Sequence, residues 1–105
     1  MTALFCPMYG GLSDVTDADQ VIQEICDHVK SRVEQKTGKA YSVFSAKSCR
    51  SQIIAGTNYF IKVHVGGNEH VHLRVYQSLS LTGTGPELIS VKEFKTHDDE
   101  IDYFE

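Results

Sequence analysis

The fold is decided by residues 58–76, whose sequence is NYFIKVHVGGNEHVHLRVY. Two runs in which apolar and polar side chains largely alternate flank a glycine-rich turn at 66–68. Alternation with a period of two is typical of a half-buried strand, and a short turn between two such runs predicts a β-hairpin. One face of the hairpin is apolar and the other is polar or mixed. The pattern therefore predicts an antiparallel sheet with a single buried face.

An amphipathic helix is predicted before this hairpin. Six apolar side chains recur there at helical spacing: Val21, Ile22, Ile25, Cys26, Val29 and Val33. Such a stripe predicts a helix with one buried face. Thr16 and Asp19 resemble a capping box, and Asp17 is a competing N-cap. Gly38 is a natural C-terminal stop, so the predicted helix spans about 17–37.

Further strands are predicted on either side of the hairpin, at about 43–53 and about 88–94. A one-faced sheet and a one-faced helix each need a partner, and each can cover the other. The predicted fold is therefore α+β, with one long helix packed across a roughly five-stranded antiparallel sheet. The length suits a single domain, residues 1–105, in which 1–13 form a partly flexible arm.

Composition excludes several classes of function. The net charge of −4 argues against a nucleic-acid binder, which needs basic patches to meet phosphates.

Three cysteines, Cys6, Cys26 and Cys49, make an odd set without paired spacing, so we expect reduced thiols and no disulfide framework. We expect Cys26 in the helix core and Cys49 facing solvent. Without a leader pattern or a long apolar run, we expect a cytoplasmic protein that does not enter membranes.

One end of the predicted sheet is unusual. In a meander, successive turns alternate between the two ends, so the turn near 55–56 and the loop 79–86 share an end. Hairpin tips are normally polar, yet this end carries Ile53, Ile54 and Leu79. Apolar tips at one edge indicate a contact surface for another molecule.

The residues at this end resemble a known family. Gln52-Ile53-Ile54-Ala55-Gly56 is similar to the cystatin signature Gln-x-Val-x-Gly, with Ile54 in place of Val. Four further segments resemble the arm, the two central strands and the ending of stefins, the disulfide-free type 1 cystatins: 10–13, 55–63, 71–76 and 98–104. The resemblance covers roughly residues 10–104.

The resemblance implies a reversible, competitive inhibitor of papain-like cysteine proteases of the cathepsin type, not an enzyme, and one without a cofactor. In this family an arm and two hairpins form a wedge that fills the protease cleft. The positions that match those segments are Met8, Tyr9 and Gly10 in the arm, Gln52, Ile53, Ile54, Ala55 and Gly56 in the first hairpin, and Leu79 and Ser80 in the second. Ser80 departs from the family, where proline usually follows the leucine, so we expect a looser second hairpin.

The sequence also contains two other candidate sites, a metal site and a catalytic thiol. His64, His70 and His72 flank one turn and could form a zinc site, but no nearby acid or cysteine completes a convincing set, so we expect no metal. A catalytic Cys–His pair needs a pocket that favours the thiolate. Cys26 lies on the helix stripe instead, which favours a packing role.

Two alternatives concern assembly and activity. The chain could be a protein-binding module on the same scaffold that does not inhibit proteases. We expect mostly monomer, but the β-branched turn at 53–57 is a plausible hinge for a domain-swapped dimer. Cys6 could also link two molecules under oxidation.

Overall fold

A computed structural model describes residues 12–78 and 85–105. Its elements, in chain order, are β1 (Thr16–Asp17), α1 (Gln20–Thr37), β2 (Ser45–Ile54), β3 (Gly56–Gly66), β4 (Glu69–Gln77) and β5 (Glu87–Lys95). The five strands form one sheet in sequence order, and every neighbouring pair is antiparallel. The α+β meander with one long helix is thus confirmed.

Helix α1 begins later than predicted. The carboxylate of Asp19 accepts a hydrogen bond from the Ile22 amide at 3.0 Å, which makes Asp19 the N-cap. Thr16 and Asp17 are therefore not caps, and the predicted start at 17 is wrong. The reason is tertiary: both residues are extended and pair with β2, Thr16 opposite Cys49. No helix in the described ranges is long and apolar enough to span a bilayer.

The end of α1 agrees with the sequence. Gly38 has a φ of 73°, in the left-handed region, and its amide donates to the Glu34 carbonyl at 2.9 Å. Glycine adopts this conformation without a Cβ clash, which is why it ends so many helices.

The helix-facing side of the sheet holds the larger core. Its buried members are Ile22, Ile25, Cys26, Val29, Val33, Tyr41, Phe44, Cys49, Ile61, Val63, Val71, Leu73 and Val75. Val21 does not belong to it, because Ile22 continues the stripe and Val21 is left 59% exposed on the flank of α1. The expectation that Cys49 faces solvent is also wrong, since Cys49 pairs with Ile61 on the helix side and is buried.

The other face of the sheet is also buried, so the prediction of a single buried face is wrong. Residues 96–105, which we call the C-terminal strap, lie across it. Phe60 is 0% exposed and forms a second core with Ile101 and Phe104, against which Leu12 packs. The alternating pattern fails here because the apolar cover comes from a segment far away in the sequence.

Cationic side chains hold the C-terminal strap on the sheet. Each donates a hydrogen bond to a strap carbonyl: Arg50 to Ile101 at 2.7 Å, Lys62 to His97 at 2.6 Å and Arg74 to Phe104 at 3.3 Å. Hydrogen bonds from charged donors are stronger than neutral ones, and a buried charge needs such partners. These three cations are thus partnered on the buried face, although Nε2 of His72 and Nε of Arg74 are buried without a hydrogen-bond partner among the described residues.

Candidate functional site

The first hairpin, the root of the second and the root of the arm lie at one end of the sheet, which we call the hairpin end. Thr57 pairs with Gln77, and Tyr76 pairs with Glu87, so the β4–β5 connection leaves beside the β2–β3 turn. Ser13 lies there too, with its amide donating to the Ser51 carbonyl at 2.8 Å. Of the predicted site residues, Met8, Tyr9, Gly10, Leu79 and Ser80 lie outside the described residues.

The tip of the first hairpin is as tight as a hairpin allows. Strand β2 ends at Ile54 and β3 begins at Gly56, with only Ala55 between them. Gly56 has a φ of 114°, and a Cβ there would lie 2.6 Å from both the Gln77 carbonyl oxygen and the Tyr76 hydroxyl. Only glycine fits this close approach. The turn is therefore shaped by its neighbour β4 as well as by its own residues.

A hydrogen bond ties the tip to β4. The Tyr76 hydroxyl donates to the carbonyl oxygen of Ala55. A turn carbonyl that would otherwise face water is thereby fixed to the central sheet. This contact braces the turn against β4.

The predicted residues of the first hairpin divide between exposed and supporting roles. Ile53 is 70% exposed, and Ala55 is exposed at the turn. Gln52 is 5% exposed, and its side-chain oxygen Oε1 accepts a hydrogen bond from the side-chain amide Nδ2 of Asn58 at 2.9 Å. Gln52 thus braces the two strands below the tip. The backbone of Ile54 pairs with that of Gly56 across the turn.

Sequence reasoning missed two supporting residues, Asn58 and Tyr76. Asn58 is 2% exposed and crosses the hairpin to Gln52. A signal was available, since both are polar residues that lie three positions from Ala55, on opposite strands of a predicted hairpin. Tyr76 carried no local signal, because its partner Ala55 is 21 residues away.

The root of the second hairpin rests on the helix. A Cβ added at Gly85 would lie 2.8 Å from Nε2 of His28, on α1. The chain therefore passes close to the imidazole as it returns toward β5. A larger residue at this position would have to displace the His28 side chain.

The two described cysteines are unsuited to nucleophilic catalysis. Burial, with a smaller contribution from Asp27 and Cys49, raises the pKa of the Cys26 thiol to about 12. Burial also raises the pKa of Cys49, although a hydrogen bond with Thr16 opposes that shift. Both are free thiols. A protonated, buried thiol is a poor nucleophile, so these residues serve packing.

Three histidines, His64, His70 and His97, lie at the opposite end of the sheet. His64 and His70 are cross-strand partners with ring centroids 5.1 Å apart, and the ring of His97 lies 6.0 Å from that of His70. His64 and His70 each place one ring nitrogen on a turn carbonyl, of Gly67 and Asn68 respectively. Across residues 12–78 and 85–105, no three His, Cys, Asp or Glu side chains are grouped as a metal site requires.

Comparison with known proteins agrees with this geometry. Residues 10–98 match the family model described as a cystatin domain. Cystatin-B of Oplegnathus fasciatus is 54% identical over 97 residues, which are 92% of this chain and 97% of the relative. Leukocyte cysteine proteinase inhibitor 1 of Sus scrofa is 50% identical over 95 residues, 90% of this chain and 92% of the relative. Cystatin-B of Pan troglodytes is 46% identical over 97 residues, with 92% and 99% covered.

Proposed function

Because this chain belongs to the cystatin family, we propose that it inhibits papain-like cysteine proteases of the cathepsin type, reversibly and competitively, by filling the active-site cleft with its hairpin end. The inhibitor is not an enzyme and forms no bond to the protease thiol. The residues proposed to form the protease-binding site are Met8, Tyr9, Gly10, Gln52, Ile53, Ile54, Ala55, Gly56, Leu79 and Ser80. Gln52 contributes by supporting the tip.

The observation that carries the proposal is an apolar side chain exposed beside a braced hairpin turn. Ile53 stands 70% exposed beside a turn that Gly56 and Tyr76 hold in place. Transferring one aliphatic side chain into a desolvated cleft is favourable by about 1.5–3 kcal/mol. A few such anchors dominate a typical interface. A preformed tip keeps most of that free energy for binding, because little ordering remains to be done.

A charge placed at the tip tests the proposal. We expect Ile53→Asp and Ile54→Asp each to weaken inhibition by about 2–4 kcal/mol, or roughly 30- to 1,000-fold in the inhibition constant, because an unpaired carboxylate must lose its water in the cleft. The measurement is titration of an active papain-like protease with verified monomer.

Phe94→Asp is the matched control. Phe94 is another exposed apolar residue, 77% exposed, but it lies near the opposite end of the sheet, in β5. Its φ of 62° is one that aspartate tolerates. Phe94→Asp should leave the inhibition constant unchanged. Equal losses in the tip and control variants would contradict the assignment of the hairpin end as the binding surface. No inhibition by the unsubstituted chain at micromolar concentration would contradict inhibition itself and favour a non-inhibitory binding module.

The arm and the second hairpin are expected to contribute less than the first hairpin. Gly10→Arg should raise the dissociation rate while the melting temperature stays unchanged, because a bulky side chain hinders the arm. Leu79→Ala should cost least, because Ser80 stands where the family usually has proline. Stopped-flow measurement of the association and dissociation rates of each variant distinguishes the contributions of the three segments.

We propose that the active form is a monomeric single domain, residues 1–105, located in the cytoplasm. A domain-swapped dimer would consume the hairpin at 53–57 and should be inactive, and a dimer linked through Cys6 should revert on reduction. Size-exclusion chromatography with activity measured across the peaks tests the assembly, and cell fractionation tests the location. The free, buried thiols of Cys26 and Cys49 support a reducing compartment.

A further inference from the structure

Arg50 lies where the arm meets the C-terminal strap. Its Nε donates to the carbonyl oxygen of Ser13 at 2.9 Å, and its Nη1 donates to the carbonyl oxygen of Ile101 at 2.7 Å. The same guanidinium is 3.9 Å from the carboxylate of Asp102. One side chain from the middle of the sequence therefore holds segments that lie 37 residues before it and 51 residues after it.

The apolar contacts at this point run between the same two segments. Leu12, the first described residue of the arm, packs on Phe60, Ile101 and Phe104. The C-terminal strap thus supplies part of the surface on which the arm rests. Backbone bonds to β2 complete the attachment: the Ser13 amide donates to the Ser51 carbonyl, and the Ser13 hydroxyl accepts from the Ser51 amide at 2.9 Å.

We propose that Arg50 is a positioning residue for inhibition: it fixes the root of the N-terminal arm, at Leu12 and Ser13, to the C-terminal strap. This inference rests on the proposed function. Arg50 does not enter the protease cleft. It acts through the arm, because a rooted arm has fewer orientations to lose when the complex forms.

Arginine is suited to this task by its shape. The planar guanidinium presents several N–H groups in a fixed arrangement, so two of them can donate to two carbonyls that lie in different directions. The side chain of Arg50 is 23% exposed, so water competes only in part for these donors. Bonds from a charged donor to a carbonyl are stronger than neutral ones.

The attachment is tested without a protease, by amide hydrogen exchange in the full chain. Arg50→Gln should speed exchange at Ser13 by roughly tenfold, because the root opens more often. The central amides of β3 and β4 should keep their protection. Arg74→Gln is the matched control, since Arg74 donates to the Phe104 carbonyl and not to the described arm residues Leu12 and Ser13. Unchanged exchange at Ser13 in Arg50→Gln would overturn the attachment.

The consequence for inhibition is tested by a double-mutant cycle with Gly10→Arg, which disables the arm. Alone, Arg50→Gln should weaken inhibition about tenfold, through the dissociation rate. In the Gly10→Arg background, it should cause little further loss. The same loss in both backgrounds, or none in either, would show that Arg50 does not act through the arm. Failure of the unsubstituted chain to inhibit would contradict the proposed function instead, and the exchange result would still decide the attachment.

Discussion

The two faces of the sheet are both buried, but by different chemistry. The helix-facing side is aliphatic and is covered by α1, whose stripe is continuous in the sequence. The strap-facing side combines the Phe60 core with buried polar residues, among them Lys62 and His72. A polar face can be buried when each charge finds a backbone carbonyl, and here the C-terminal strap provides those carbonyls. Whether a strand residue is buried therefore depends on the segment that covers its face as well as on the sequence of the strand itself.

The largest expected effect tests whether the strap-facing side is a true core. Phe60→Ala should lower the free energy of unfolding by about 3–5 kcal/mol, comparable to the roughly 2–5 kcal/mol expected for Leu73→Ala on the helix side. Both residues are 0% exposed. Urea unfolding measures the two variants under one condition. A cost below about 1 kcal/mol for Phe60→Ala would mean that the strap covers this face only loosely.

The effect of intermediate size is a pH dependence of the free energy of unfolding that arises on the strap-facing side alone. Burial, and then the positive charges of Lys62 and Lys95, lower the pKa of His72 from 6.5 to about 4. Below pH 6.5, His72 is protonated in the unfolded chain but stays neutral in the folded chain until the pH nears 4. The free energy of unfolding should therefore fall as the pH drops from about 6.5 to about 4, by up to about 3 kcal/mol from this residue. His70, whose pKa is also lowered by burial, acts in the same direction.

Substitution identifies the source of this pH dependence. In His72→Gln the decline in stability between pH 6.5 and pH 5 should be clearly shallower, whatever the absolute stability of the variant. His64→Gln changes a half-buried histidine at the edge of the same face and should keep the steeper decline. If the two variants give parallel curves, His72 does not make the strap-facing side acid-sensitive.

The smallest expected effect belongs to the helix-facing side. Cys26 and Cys49 are free and buried, so reductant has nothing to break there. The melting temperature should be the same with and without reductant once dimers linked through Cys6 have been removed. A large loss of stability in reductant would reveal a disulfide that stabilises the fold.

Sequence periodicity predicted the helix-facing side well because its information is local. The stripe from Ile22 to Val33 and the alternation around Ile61 and Leu73 each follow from the repeat of one element. Errors arose where a distant partner decided the outcome. Thr16 is extended because β2 pairs with it, and Cys49 is buried because it shares the register of Ile61.

The candidate site shows the same division. The gathering of two hairpins at one end followed from meander topology, and the resemblance in residues 52–56 singled out the tip. The supports could not be predicted, because Tyr76 and Arg50 act on partners 21 to 51 residues away. The spacing of apolar residues in the sequence does not predict which backbone carbonyl a side chain will contact across the sheet.

The reach of the C-terminal strap also has a kinetic consequence. Its three cation–carbonyl bonds join residues 30 to 51 positions apart, whereas the Gln52–Asn58 bond spans six. Long loops close more slowly than short ones, because more chain entropy is lost before any contact forms. We therefore expect the helix and the β2–β3 hairpin to assemble first. The strap should dock last during folding and open first during unfolding. The contact surface that it provides for the arm should therefore form last.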